Sequence, residues 1–510
     1  MLNLAHYLDE TAARYPDAVA AKLDNATLNY AELAQGAHRV ANLLRERGVK
    51  PGDRVAMMIP NTPHFPLIYY GILHAGAVVV PVNVLFTRSE ITHYLTDSEA
   101  VAFFAFTAFA GETGPAYQDV ETCQNLFYVP PAPGGEIPED GEDFYACIAG
   151  VDTEKRTAQT MPDAAAVILY TSGTTGQPKG AELTHSNMFF NAYYTSHAIL
   201  KLKPGDICMV ALPLFHSFGQ TCMMNAGILG GATLCMLPRF EPRKALEMIT
   251  HDKITCMALV PTMYALLLNA SKREQYDVSS VRTAVSGGAA LPGEVHHRFQ
   301  ERYGITILEG YGLSETSPVA SFTVEGEELR VGSIGKPIWG VEMGVKGEDG
   351  QFLGEDEIGE IVIRGHNIMK GYINRPEATK EAIVEGWFHS GDMGKRDSDG
   401  YYYIVDRKKD LIIRGGLNIY PREIEEVIYG HPKVAEAAVI GVPDKLRGEY
   451  VKAYVAPRPD ETLSKDEIRS YIQERMANYK WPREIEIRES LPKGPTGKLL
   501  KRALRDEIKG

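Results

Sequence analysis

Short apolar runs separated by helix-length amphipathic segments recur along this chain, and that alternation limits its fold more than composition does. The runs Arg54–Ile59, Val78–Val80, Val167–Tyr170, Ile207–Ala211, Thr233–Leu237 and Cys256–Val260 read as strands. Strands alternating with helices predict an α/β architecture with largely parallel sheets. Past Asp406-Arg-Lys-Lys-Asp410 the pattern changes. Pro421 and Glu423 open a helix through Tyr429, followed by strands Ala435–Val442 and Tyr450–Ala456. Ser464 and Glu467 form a capping box before another helix, and strand Glu484–Arg488 leads into a glycine loop at Gly494–Lys498. A compact α+β C-terminal domain of about 100 residues fits this stretch.

Bulk properties narrow the function. The chain has 510 residues, enough for several packing units, with 44% apolar and 23% charged residues. A net charge of -13 argues against nucleic acid as the main partner. Six cysteines without C-x-x-C spacing indicate reduced, mostly buried thiols in a cytoplasmic protein. The start lacks a basic n-region and the end matches no lipidation signal, so neither secretion nor anchoring is expected. No Asp, Glu, Lys or Arg occurs between Arg54 and Arg88, but Pro60, Pro63, Pro66, Gly71, Gly76 and Pro81 cut that run into short pieces. A buried helix followed by the strand Ala77–Pro81 is expected there, with no integral membrane segment. Segment Pro130–Gly141, rich in Pro, Gly and acids, reads as a surface loop.

The chemistry is concentrated in Tyr170-Thr-Ser-Gly-Thr-Thr-Gly-Gln-Pro-Lys-Gly180. It follows the apolar run Ala166–Tyr170 and gathers the hydroxyls of Thr171, Ser172, Thr174 and Thr175 with Gly173, Gly176, Gly180 and Lys179. Glycines let the backbone approach an anion, while amides, hydroxyls and an ammonium donate to phosphate oxygens. Pro178 before Lys179 and Gly180 after it exclude the G-x-x-x-x-G-K-[ST] loop.

Further segments follow in order: Pro213-Leu-Phe-His-Ser-Phe-Gly219, Ser286-Gly-Gly-Ala289, Glu309-Gly-Tyr-Gly-Leu-Ser-Glu-Thr316, Gly332-Ser-Ile-Gly-Lys-Pro337, Trp387-Phe-His-Ser-Gly-Asp392, Tyr403-Ile-Val-Asp-Arg-Lys-Lys-Asp410 and Pro492-Lys-Gly-Pro-Thr-Gly-Lys498. With the loop at 170–180 they resemble, over essentially the whole chain, the adenylate-forming superfamily of acyl-CoA synthetases, luciferases and peptide-synthetase adenylation domains. The resemblance implies an α/β fold. A large N-terminal domain (1–406) of layered, mostly parallel sheets flanked by helices, with a β-barrel-like part, carries ATP and acyl substrate. A hinge (407–409) joins it to a small mobile α+β domain (410–510).

It also implies roles. The loop Thr171, Ser172, Gly173, Thr174, Thr175 and Lys179 grips the β- and γ-phosphates of ATP, and Ser314 adds a hydroxyl at the α-phosphate. Glu315 holds Mg²⁺, for which one carboxylate plus nucleotide oxygens and waters suffices. Tyr311 stacks on adenine, with Gly310 and Gly312 beside it, and Gly287, Gly288 and Ala289 lie on the opposite face. Glu309 sits near the exocyclic amine, while Asp392 and Arg407 hold the ribose. Lys498 bridges the carboxylate and the α-phosphate and acts as the catalytic cation, alongside His216 and Glu315. By composition alone Lys498 is one lysine of a basic tail with Lys493, Lys501 and Arg502. Rotation about Lys409 then swings Lys498 out and brings Gly415 and Gly416 in to line a tunnel for coenzyme A. A strand-end turn is an equal reading of that glycine pair.

Phe218, Gly312, Pro318 and Val319 flank the acyl pocket, with the flexible stretch Phe218–Asn225 as a wall, although a Met-Met pair is more often plain core. Phe215-His-Ser-Phe218 lacks the acidic residue with which amino-acid-activating relatives pair the substrate ammonium. The wording of Leu308–Val319, Met369–Tyr372 and Val405–Pro421 is most similar to bacterial medium- and long-chain fatty acid–CoA ligases. Coumarate-type aryl-acid ligases are the nearest rival. Acyl-AMP ligases that deliver to a carrier protein carry an insertion near the ribose motif, and none stands between Trp387 and Asp406. A small-molecule acid, ATP and CoA are the expected partners, and a homodimer is common among relatives.

Overall fold

The structure, a computed structural model, describes the chain except residues 173–177, 271–274, 325, 445, 495–496 and 510 and the side chains of 172 and 509. Two large sheets dominate it. One has eight strands in the order Gly371–Tyr372, Pro178–Thr184, Ala165–Ser172, Val78–Pro81, Arg54–Met58, Ala100–Phe106, Asn125–Val129 and Glu142–Asp143. The other has nine, running from Lys336–Pro337 and Val319–Phe322 through Ile307–Gly312, Thr283–Ser286, Cys256–Leu259, Ile207–Val210 and Thr233–Met236 to Val19–Leu23 and Ala26–Asn29. Their interior neighbours pair in parallel, with antiparallel strands confined to the margins.

Parallel strands are buried on both faces, and the sequence obeys that rule. Val55 and Met57 face a core shared by both sheets, whereas Ala56 and Met58 face a second core with Ile91, Leu95 and Phe103. Helices Tyr30–Glu46 and His64–Ala75 lie in the shared core. The uncharged run thus forms the expected buried helix and strand, but Pro66 and Gly71 do not cut it: both lie inside His64–Ala75. Gly71 is where the two helices touch, since a Cβ there would stand 2.5 Å from Val40 Cβ. Among the described residues no helix is long and apolar enough to cross a membrane.

The part expected to be barrel-like is a five-stranded antiparallel sheet of Val341–Lys346, Gly359–Gly365, Trp387–Arg396, Ile383–Val384 and Tyr402–Arg407. The C-terminal unit has its own sheet, centred on the long pair Val434–Asp444 and Gly448–Pro457. Helices Pro421–Tyr429 and Lys465–Gln473 bury Ile424, Ile428, Ile468 and Ile472 on one face, and Leu504 of Lys501–Lys509 covers the other. Half of the expected capping box forms. Ser464 accepts from the Glu467 amide, but the Glu467 carboxylate pairs with Lys433 at 2.9 Å instead of turning back to the cap.

Candidate active site

Open α/β sheets place their sites beyond the carboxyl ends of the parallel strands. Here those ends deliver Leu212 and Pro213, Val260 to Thr262, Gly287 and Gly288, and Gly312 to Glu315 to one cleft of about 2200 Å³, closed on the far side by Arg422, Lys498 and Lys501 of the C-terminal unit.

The strands that flank the glycine- and hydroxyl-rich segment pair antiparallel. The first continues past Tyr170 to Ser172, and Thr171 pairs with Lys179. Gly173, Thr174 and Thr175 lie outside the described residues. Thr171 Oγ1 donates to Glu315 Oε1 at 2.9 Å, and Tyr372 Oη donates to the same oxygen at 2.9 Å. Lys179 Nζ stands 5.4 Å over the Tyr372 ring. Burial and the charge of Glu315 push the Tyr372 phenol far above its ordinary value, so it stays a donor. Both described hydrogen bonds to this buried carboxylate come from neutral hydroxyls. Its negative charge therefore suits a hard, oxygen-seeking cation.

Strand Ile307–Gly312 carries Glu309, Gly310, Tyr311 and Gly312 to the cleft, and a single turn, Ser314–Thr316, presents Ser314 and Glu315. Tyr311 Oη donates to Asp392 Oδ2 at 2.6 Å, and Arg407 Nε is 3.1 Å from Asp392 Oδ1. The Asp392 amide donates to Ser390 Oγ, which donates on to the Ile361 carbonyl; this fixes the turn that aims the carboxylate. Each carboxylate oxygen keeps a second lone pair for a sugar hydroxyl. Glu309 lines the cleft and also has a protein partner. Its Oε1 accepts from the Leu291 amide at 3.1 Å, and burial pushes it up to about 7 against the pull of Arg422 and that amide.

Lys498 lines the cleft, and its carbonyl accepts from the Gly494 amide at 2.8 Å. Thr262 Oγ1 donates to the Gly497 carbonyl at 2.9 Å across the cleft. Gly497 is left-handed (φ 79°), and a Cβ there would stand 3.0 Å from Thr262 Oγ1. The Lys498 side chain passes over Gly288, also left-handed (φ 82°), where a Cβ would stand 3.1 Å from Lys498 Cε. Burial and then Arg407 lower the Lys498 ammonium to about 8, against the opposing pull of Asp392. Burial and then Lys498 lower His216 to about 4, so the imidazole is neutral at physiological pH.

Phe218 packs over Gly287, and with His216, Gly312, Pro318 and Val319 it lines the same cleft as Lys498. Met223 and Met224 belong to the shared core, so the methionine pair is packing and not a pocket wall. Ala289 also lines the cleft, as does the exposed Lys409. Gly415 and Gly416 do not; they form the exposed turn joining Ile412–Arg414 to Leu417–Ile419.

Several cleft residues were not anticipated. Thr262 follows the carboxyl end of a parallel strand, the one signal that could have found it. Asp406 Oδ2 accepts from the Arg422 amide at 2.8 Å at the start of helix Pro421–Tyr429, and half-buried Lys501 pairs with Glu425 at 2.8 Å. Away from the cleft, Asp9, His38 and His74 form a group of metal-ligating side chains, but Lys155 Nζ already stands 2.8 Å from Asp9 and matches its charge.

Residues 8–373 match the profile of the AMP-binding enzyme family, and residues 423–498 match that of the AMP-binding enzyme C-terminal domain. The chain belongs to this adenylate-forming family. Among its relatives, a long-chain-fatty-acid–CoA ligase of Bacillus subtilis (strain 168) is 36% identical, covering 99% of this chain and 94% of the relative. A feruloyl-CoA synthase of Amycolatopsis sp is 37% identical over 96% of each chain. The crystal structure of the anthranilate CoA ligase AuaEII in complex with anthranoyl-AMP superposes with a TM-score of 0.94 at 27% identity, covering 99% of this chain and 97% of that one. The protein is an AMP-forming acid–thiol ligase, an acyl-CoA synthetase that uses ATP and CoA.

Proposed function

We propose that the acid is a medium- or long-chain fatty acid, activated in two steps. The observation that carries the first step is Lys498 passing over Gly288 in the cleft that Asp392, Arg407 and Phe218 also line. A carboxylate oxygen attacks the α-phosphorus of ATP, pyrophosphate leaves, and the acyl-adenylate forms. Lys498 neutralises charge shared by the carboxylate and the α-phosphate. Ser314 donates to the α-phosphate, and Thr171, Ser172 and Lys179, with 173–175, hold the outer phosphates. Asp392 and Arg407 orient the ribose beside Tyr311. Glu315, its direction fixed by the hydroxyls of Thr171 and Tyr372, would hold Mg²⁺, which would supply positive charge against the phosphates.

In the second step the thiol sulfur of CoA attacks the acyl carbon, the thiol proton is lost and AMP leaves. Residues 410–510 turn about a hinge at 407–409, centred on Lys409, relative to 1–406. Lys498 withdraws and the Gly415–Gly416 turn enters to flank the pantetheine arm. The outward, solvent-facing position of that turn while Lys498 is in the cleft supports the exchange. Lid movements of this kind commonly limit turnover.

The full-length likeness to a long-chain-fatty-acid–CoA ligase and the apolar lining of Phe218, Pro318, Val319, Phe322 and Ile334 support an aliphatic acid. The likeness to feruloyl-CoA synthase favours an aryl acid as the second reading. Six free cysteines, five of them buried, fit a reducing cytoplasm. Acid-dependent pyrophosphate release across straight-chain and aromatic acids separates the two readings. Preference for coumarate or benzoate over decanoate and palmitate would replace the fatty acid assignment.

A further inference from the structure

Segment 369–373 is stitched to two parts of the cleft at once. The Met369 amide donates to the Glu315 carbonyl at 2.9 Å, while the Lys370 and Ile373 amides donate to Glu182 and Gly180 at 2.9 and 2.8 Å. Gly371 and Tyr372 thereby become an edge strand against Pro178–Thr184, the strand that leaves the phosphate loop. From this position Tyr372 reaches both chemical groups. Its hydroxyl donates to Glu315 Oε1 at 2.9 Å, and its ring lies 5.4 Å beneath Lys179 Nζ.

We propose that Tyr372 is a positioning residue that couples the carboxylate for the metal to the lysine for the phosphates. The inference rests on the reading of Glu315 as the Mg²⁺ carboxylate. The phenol hydroxyl, with Thr171, holds Oε1 and leaves Oε2 turned to the cation, since hydrogen-bonded partners of a metal carboxylate set its direction. The ring face supports the Lys179 ammonium through a cation–π contact. Because one side chain does both, phosphate grip and metal direction are set together.

Two substitutions separate the parts. Tyr372→Phe keeps the ring and removes the hydroxyl; Tyr372→Leu removes both. Binding of a non-hydrolysable ATP analogue to the full-length protein is measured by calorimetry in EDTA and across a Mg²⁺ titration, with melting temperature as the folding control. In Tyr372→Phe, binding in EDTA stays at the wild-type value while the Mg²⁺ needed for half-maximal enhancement rises about tenfold. In Tyr372→Leu, binding in EDTA also weakens, by about two- to fivefold. A Phe variant with the wild-type Mg²⁺ requirement, or one weakened equally with and without Mg²⁺, overturns the proposal. Wild-type binding indifferent to Mg²⁺ overturns the reading of Glu315 itself, and the inference with it.

Discussion

Thr262 Oγ1 and the Gly497 carbonyl meet at 2.9 Å across the cleft, joining the first turn of helix Pro261–Leu268 to the residue before Lys498. The bond ties the C-terminal unit, whose Lys498 passes over Gly288, to the opposite wall of the cleft, and on the proposed mechanism it forms only in the adenylating orientation. Thr262→Val removes one neutral hydrogen bond worth about 0.5–1.5 kcal/mol. Single-turnover adenylation falls by about three- to tenfold, while CoA thioester formation from supplied acyl-adenylate keeps its rate.

Replacing Lys498 by Ala tests the ammonium itself. Loss of an electrostatic group aimed at the transition state costs about 10²- to 10³-fold. Acid-dependent pyrophosphate release drops by at least that factor. ATP binding, measured by calorimetry, stays within a few-fold of wild type on an order-of-magnitude scale. An unchanged rate removes Lys498 from the mechanism.

On the proposed mechanism the charged form of Lys498 is the working one, and burial and then Arg407 lower the group to about 8. Adenylation therefore holds on the acid side and declines as pH rises through about 8. Arg407 is a cause of that lowering, so Arg407→Gln moves the decline to higher pH. A stopped-flow pH profile of both proteins checks the direction. A decline that stays in place in the variant contradicts the charge argument.

Glu309 is raised to about 7, above its value of 4.5 in an unfolded chain. The folded protein then binds the extra proton between those values. Stability from this group is intact below about 4.5, declines as pH rises, and is fully lost above about 7. Glu309→Gln keeps an acceptor for the Leu291 amide and has no charge to bury. Its melting temperature gains on wild type from pH 5 to pH 8 and the gain levels off above 7; a constant difference across that range contradicts the assignment.

Much of this was legible in the residues, because strands of parallel sheets are local apolar runs with little ambiguity. Ile207–Val210, Thr233–Met236 and Cys256–Leu259 fall within a residue of their expected ends. Helix His64–Ala75 was harder: Gly71 and Pro66 read as breaks, yet Gly71 serves the contact with Val40, which sequence spacing does not reveal. Motif residues such as Asp392 and Arg407 were named, but their pairing depends on antiparallel register between Trp387–Arg396 and Tyr402–Arg407, and the bond to Tyr311 on a different sheet. Thr262 was not named, and Tyr372 and Asp406 stood in quoted segments without a role, for a shared reason. Each acts through a partner distant in sequence, and an isolated Thr, Tyr or Asp gives no local signal of that partner.

Product identity is the most direct test of acyl-CoA formation through an adenylate. Purified protein is incubated with ATP, Mg²⁺ and a panel from acetate to palmitate plus coumarate and benzoate, with and without CoA, and products are read by mass spectrometry. The account predicts acyl-adenylate without CoA, and acyl-CoA with AMP and pyrophosphate when CoA is present, strongest for medium- or long-chain straight acids. Adenylate that accumulates and never reaches CoA would contradict it and point to a carrier-protein acceptor.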